Sequence, residues 1–146
     1  LSDQDVFIGT VWENIVMGRE GITPRQVITI ATEMGIPDFL KTLPHGFETK
    51  IAPNGKNIPG ITLKSILLLR AMLNSPKLIL FEDPWEDFPV EVKRQMINYL
   101  AGKRRSATVV VATSDSEFIQ ICDFQILLEN GSVLINKHDS NGSGAK

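Results

Sequence analysis

The sequence predicts an α/β protein in which a helical first half precedes a parallel sheet covered by helices. Three observations carry this. The apolar period changes near Lys77, from helical spacing before it to short unbroken apolar runs after it. Two of those runs, "LILF" (residues 78–81) and "ATVVVA" (residues 107–112), flank the amphipathic stretch "VEVKRQMINYL", which makes a strand, helix, strand crossover. The third is "TPRQ" (residues 23–26), a capping-box helix start with proline at the first helical position.

In chain order, residues 6–74 read as helical. After Thr23, the residues Val27, Ile28, Ile30, Ala31 and Met34 repeat at helical spacing, and Gly35 supplies the stop. Residues 38–43 predict a short second helix closed by Pro44. "PHGFETKIAPNGKN" follows as loop, with Gly46, Pro53, Asn54 and Gly55 as turn formers. Residues 62–73 form a third helix, too apolar for a surface, ending at Asn74-Ser75-Pro76. "KLILFED" and "ATVVVATS" are expected as strands buried on both faces, because a parallel strand between helix layers is apolar throughout. "SEFIQICD" predicts a short helix, and "FQILLENGSVLIN" a hairpin turning at Asn130-Gly131 in type I′ geometry. The tail, residues 137–146, is polar and expected to be disordered.

Composition narrows the function classes. The 146 residues are 42% hydrophobic and 22% charged, enough to bury a core. Fifteen basic against seventeen acidic residues leave a net charge of −2, so no global field favours nucleic acid or anionic lipid. One cysteine, Cys122, excludes an internal disulfide and fits a reducing compartment. No apolar run is long enough to insert in a membrane and no signal peptide is evident. The chain opens at Leu1 in what reads as an already folded stretch, so a longer product is expected.

Chemistry is expected where "LILF" leaves the sheet. Glu82 and Asp83 stand there, and ligands collect at the carboxyl ends of parallel strands. Two adjacent acids suit a magnesium ion and an attacking water; equally, they suit a solvated strand end. His45 and His138 lack a second ligand type nearby and read as no metal site. Lys103-Arg104-Arg105 complements a helix C-terminus.

"GTVWENI" (residues 9–15), "LPHGFETKI" (43–51), "LLLRAMLNSPKLILFEDP" (67–84), "VVVATS" (109–114) and "LLENGSV" (127–133) together resemble, in order and spacing, the nucleotide-binding domain of exporter-type ATP-binding-cassette (ABC) transporters. The resemblance runs from Gln4 to about Ile135. It implies a P-loop NTPase-like (RecA-like) fold in part: residues 5–75 as the family's helical subdomain and residues 76–136 as the later half of its core. The family's phosphate loop, GxxxxGK[ST], would lie before Gln4. Its strand would sit between the strand before Ser114 and the next core strand, so a gap with exposed edges is expected.

Carried over residue by residue, the resemblance implies a set of site positions. Asp83 and Ser114 fall on the general-base and switch positions, and Gln4 on the magnesium-sensing glutamine. Glu82 falls on the magnesium-associated acid, and residues 58–62 on the signature that receives a γ-phosphate, with Gly60 and Thr62 as its binding candidates. ATP and Mg²⁺ are the implied cofactors of an intact member, with binding of neither by this chain as the alternative. Trp12 and Glu13 lie where a transmembrane domain would dock, and a second nucleotide-binding domain is the other implied partner, at the cytoplasmic side of a cell membrane.

Several of these positions depart from the family pattern. Pro59 removes a hydroxyl and an amide donor from the signature, and Ile61 adds bulk. The two acids at Glu82 and Asp83 are exchanged, Ser114 replaces a histidine, Pro89 replaces the D-loop aspartate, and Pro53 replaces a glutamate. Hydrophobic positions persist while site positions change. The expectation is an ABC domain whose own hydrolysis is weak or lost. The alternatives are a working ATPase with its phosphate loop upstream and an interaction module unconnected with nucleotide.

Overall fold

A computed structural model describes residues 6–137. The expected Gln4 site and all but the first residue of the expected tail lie outside the described residues. The element order is β1 (Gly9–Thr10), α1 (Val11–Val16), α2 (Pro24–Glu33), β2 (Lys50–Ile51), α3 (Gly60–Met72), β3 (Leu78–Glu82), α4 (Val90–Lys103), β4 (Thr108–Ala112), α5 (Ser116–Ile121), β5 (Phe124–Glu129) and β6 (Ser132–Lys137).

Local chemistry explains where the helices begin and end. Thr23 and Gln26 close the expected capping box at α2. A second box, Thr10 with Glu13, starts α1 and was not anticipated; the Glu13 carboxylate accepts from Thr10 N at 2.6 Å. At the end of α2, Gly35 N donates to Thr32 O and Ile36 N to Ala31 O, so the helix closes in a Schellman turn with Gly35 at φ +79°. The expected helix over residues 38–43 is a 3-10 stretch, Pro37–Thr42. α3 begins at Gly60, because Pro59 lacks the N–H that an interior position would need.

One hydrophobic core runs from α1 to α4. Val11, Ile15, Val27, Ala31, Ile66, Leu68, Leu69, Met96 and Leu100 are all buried in it. The Asn14 side chain, fully buried, ties the start of the segment together: it accepts from Phe7 N and donates to Phe7 O and Thr10 O, each at 3.0 Å. Arg70 on α3 reaches across to it, donating to Asn14 O at 2.7 Å. The antiparallel pair β1–β2, with Gly9 opposite Ile51, draws the "PHGFETKI" loop onto the same segment.

The sheet departs from expectation. β3 and β4 are parallel and in register, Leu78 opposite Thr108 through Glu82 opposite Ala112, as the crossover predicts. They are not buried on both faces. Ile79 and the half-buried Phe81, Val109 and Val111 face the helices, whereas Leu80 is 63% and Val110 50% exposed. β5 and β6 form the predicted hairpin, with Asn130 at φ +48° and Gly131 at φ +75° as a type I′ turn requires. The hairpin does not pair with β4, and Leu128 on it is 75% exposed. The described strands thus form three separate two-stranded sheets. The physical reason is that α4 and the helical core cover one face, and no described element covers the other.

Candidate functional site

The end of β3 opens into a hollow of about 430 Å³ lined by Asp83, Trp85, Glu86, Ser114, Asp115 and Ser116. Two of the predicted positions, Asp83 and Ser114, therefore meet. Backbone pairing carries Asp83 one step past β3, its N–H donating to Ala112 O at 3.0 Å. The backbone then turns left-handed at φ +34°. Short Asp tolerates this conformation better than Glu, because its carboxylate can bond locally. That is a physical account of why the shorter acid stands here. The Thr113 hydroxyl donates to Asp83 Oδ1 in a short hydrogen bond, and Thr113 Oγ1 in turn accepts from Asp115 N at 3.1 Å.

Asp115 organises the far wall. Its Oδ1 accepts from Glu117 N and Phe118 N, capping α5, while its Oδ2 takes the Lys93 ammonium of α4 at 2.8 Å. The bond from Lys93 holds the Asp115 carboxyl below its ordinary value, and the same bond raises Lys93 above its own. The sign follows. A depressed carboxyl contributes stability above its unfolded value of 3.8 that is lost as pH falls through the folded one. A raised lysine contributes stability that is lost as pH climbs beyond 10.5 through its folded value. Lys93→Met should therefore melt below the parent at pH 7, and the difference should close as the pH drops below 3.8. Melting curves from pH 2 to 8 check this; a gap unchanged at low pH would show that Lys93 acts through packing.

Trp85 is buried against Phe118, with ring centroids 5.2 Å apart, and so seats the loop after β3 on α5. Lys64 of α3 fastens the same loop by donating to Glu86 O at 2.7 Å.

The remaining predicted positions do not join this hollow. Glu82 lies exposed on the bare face with Leu80, since alternate residues of a strand face opposite ways. Gly60 and Thr62 are not among the lining residues; Thr62 is buried, and its hydroxyl bonds that of Thr42 at 2.8 Å. Trp12 packs edge-on against Phe47 at 5.3 Å, and Glu13 serves the α1 capping box. Beside them Phe7, Ile8 and Met17 are exposed. Thr113, Asp115 and Lys93 escaped the sequence reading. "DSEF" was legible as a helix cap, but nothing local marks Lys93, twenty-two residues from its partner.

The lining side chains of this hollow offer the phosphates of ATP no counter-charge. Three of its six lining side chains are carboxylates, and none is a cation. Among the described residues no group of three or more His, Cys, Asp or Glu side chains could hold a metal, so Glu82 stands in no such group. The α3 start offers Pro59 where an amide would be needed.

No family model matches the chain. Over 132 residues it is 30% identical to a multidrug efflux ATP-binding/permease protein of Mycobacterium bovis, a match covering 90% of this chain and 11% of that protein. It is 28% identical over 131 residues to an uncharacterised ABC transporter ATP-binding protein of Sinorhizobium fredii, covering 90% of this chain and 22% of that one. A solved bacterial Atm1-family ABC exporter with ATP bound shares the fold with a TM-score of 0.76 at 22% identity, over 92% of this chain and 24% of its own. The chain thus spans a quarter or less of the proteins it matches. Its order of elements, its strand-end hollow and these matches lead to one conclusion: the chain is a homologue of ABC exporter ATP-binding/permease proteins, with a partial α/β fold that matches one segment of such an exporter.

Proposed function

We propose that the chain is the later portion of an ABC exporter's ATP-binding domain, with its own hydrolytic site weak or lost. Residues 5–75 serve as the helical subdomain and residues 76–136 as the later half of the RecA-like core. The observation that carries this reading is the bare apolar face of β3 and β4, with Leu80 at 63% exposure. A self-sufficient domain leaves few such faces in water. In an intact exporter, further sequence would complete the sheet and supply a phosphate loop. The segment around Trp12 and Glu13, flanked by exposed Phe7 and Ile8, would meet a transmembrane domain at the cytoplasmic face, and a second ATP-binding domain would face α3. The weak site is supported by the hollow, where Asp83 and Ser114 meet acidic walls without Glu82 or α3. ATP and Mg²⁺ belong to the intact assembly in this reading.

A chimera tests it: residues 4–135 placed into the mycobacterial efflux protein in exchange for the matched stretch. The chimera should assemble in membranes, bind ATP through the host's parts, and turn it over about a hundredfold more slowly than the host, the scale of loss that a misplaced catalytic group produces. Turnover at the host rate would remove the weak-site claim. A chimera that is degraded although the isolated chain folds would remove the exporter reading in favour of an interaction module.

The bare face gives a companion prediction. Leu80→Lys should change the stability of the isolated chain by less than about 0.5 kcal/mol, as exposed substitutions do. In the chimera it should abolish assembly, because it puts an ammonium into a buried layer. Equal yields of the two chimeras in membranes would show that the face stays wet.

A further inference from the structure

We infer that Asp115 sets the strand-end hollow against phosphate, by holding the Lys93 ammonium behind its wall. This rests on the reading that the end of β3 is where a nucleotide's phosphates would lie. The hollow presents Asp83, Glu86 and Asp115 beside Trp85, Ser114 and Ser116. The cations that touch the lining residues Asp115 and Glu86 are already engaged. Lys93 lies 2.8 Å from Asp115 Oδ2 and 3.6 Å from Glu117. Lys64 donates to Glu86 O and lies 3.7 Å from Asp87. Arg94, further along α4, lies 3.7 Å from Glu117. A phosphate entering here meets three carboxylates and, among the lining residues, no cation. Each like charge about 5 Å away weakens binding by a factor of about four in a watery setting, and by more as water leaves.

Asp115 is the adjustable part. It is also the cap of α5, but Asn and Ser cap as well as Asp does. Asp115→Asn therefore removes one negative charge from the wall and leaves Lys93 only its longer contact with Glu117 at 3.6 Å, with the backbone of α5 in place. Asp83 keeps its bond from Thr113, because Thr113 accepts from the Asp115 amide rather than from its side chain.

The test uses the 146-residue chain and ATP without magnesium at low salt, following the backbone amide signals of residues 113–117 by NMR. The parent should show no saturable shift up to millimolar ATP. Asp115→Asn and Asp115→Ser should each acquire saturable, salt-sensitive shifts, with affinity at least about tenfold above any the parent shows. Adding Lys93→Met to either should abolish the gain. Saturable binding by the parent as tight as by the variants would overturn the inference. So would two folded variants that gain nothing, or a gain that survives Lys93→Met. The binding measurement is independent of chimera assembly. Failure here leaves the exporter reading standing, and failure of assembly there leaves these affinities as they are.

Discussion

Gly35→Ala is expected to destabilise the protein by about 2–5 kcal/mol, lowering the melting temperature by several degrees. Two costs combine. An alanine in the left-handed region that Gly35 occupies at φ +79° costs about 1–2 kcal/mol. A Cβ built there also meets the Gln95 side chain of α4, touching its amide oxygen and approaching its Cβ to 2.9 Å. Forcing that contact apart costs about 1–3 kcal/mol. Because Gly35 ends α2 and Gln95 lies on α4, the strain falls where the helical region meets the helix that covers the parallel strands. A double-mutant cycle with Gln95→Gly separates the two costs. Pairing the substitutions should recover the packing part and leave the backbone part. A Gly35→Ala protein that melts with the parent would mean that α2 can end in another way.

Asn14→Leu should cost about as much, roughly 2–4 kcal/mol, through unsatisfied polar groups rather than lost volume. Leucine nearly fills the same space but strands Phe7 N, Phe7 O and Thr10 O, all of which the buried amide now serves. The Arg70 guanidinium loses its contact with Asn14 Oδ1 at 3.3 Å while keeping that with Asn14 O. Hydrogen exchange gives the specific signature. The Phe7 amide should lose protection in Asn14→Leu well before global unfolding, whereas amides of α4 should weaken only by the global amount. Uniform loss across the chain would mean that Asn14 merely fills the core. The outcome also bears on the exporter reading, since this network shapes the backbone that presents Phe7 and Ile8.

How much of this was legible depended on the range of the interaction. The box at Thr23 and Gln26, the stop at Gly35, and the turn at Asn130 and Gly131 are set within a few residues, and each appears where the residues indicate. The short helix expected over residues 38–43 is present as a 3-10 stretch at Pro37–Thr42, because Pro37 and Pro44 leave too little chain for α-helical bonding to outcompete that arrangement. Within the site, the meeting of Asp83 with Ser114 followed from parallel strand order. The salt link from Lys93, the Thr113 hydroxyl on Asp83 and the pairing of Gly9 with Ile51 join distant residues, and no local pattern announces them.

The apolar strands show the limit most clearly. "LILF" and "VVVA" carry the composition of strands covered on both sides, and that composition, with the amphipathic stretch between them, by itself determined the parallel pair and its crossover helix, while the resemblance to exporter ATP-binding segments rests on the quoted motifs in order and spacing. Composition registers what a strand is suited to bury against, whether or not the covering layer lies in the same chain. Tertiary structure alone decided that Ile79 and Val109 face the helices while Leu80 and Val110 meet solvent, and that the hairpin stands apart from β4. Burial is a property of two surfaces, and a linear pattern specifies only one of them.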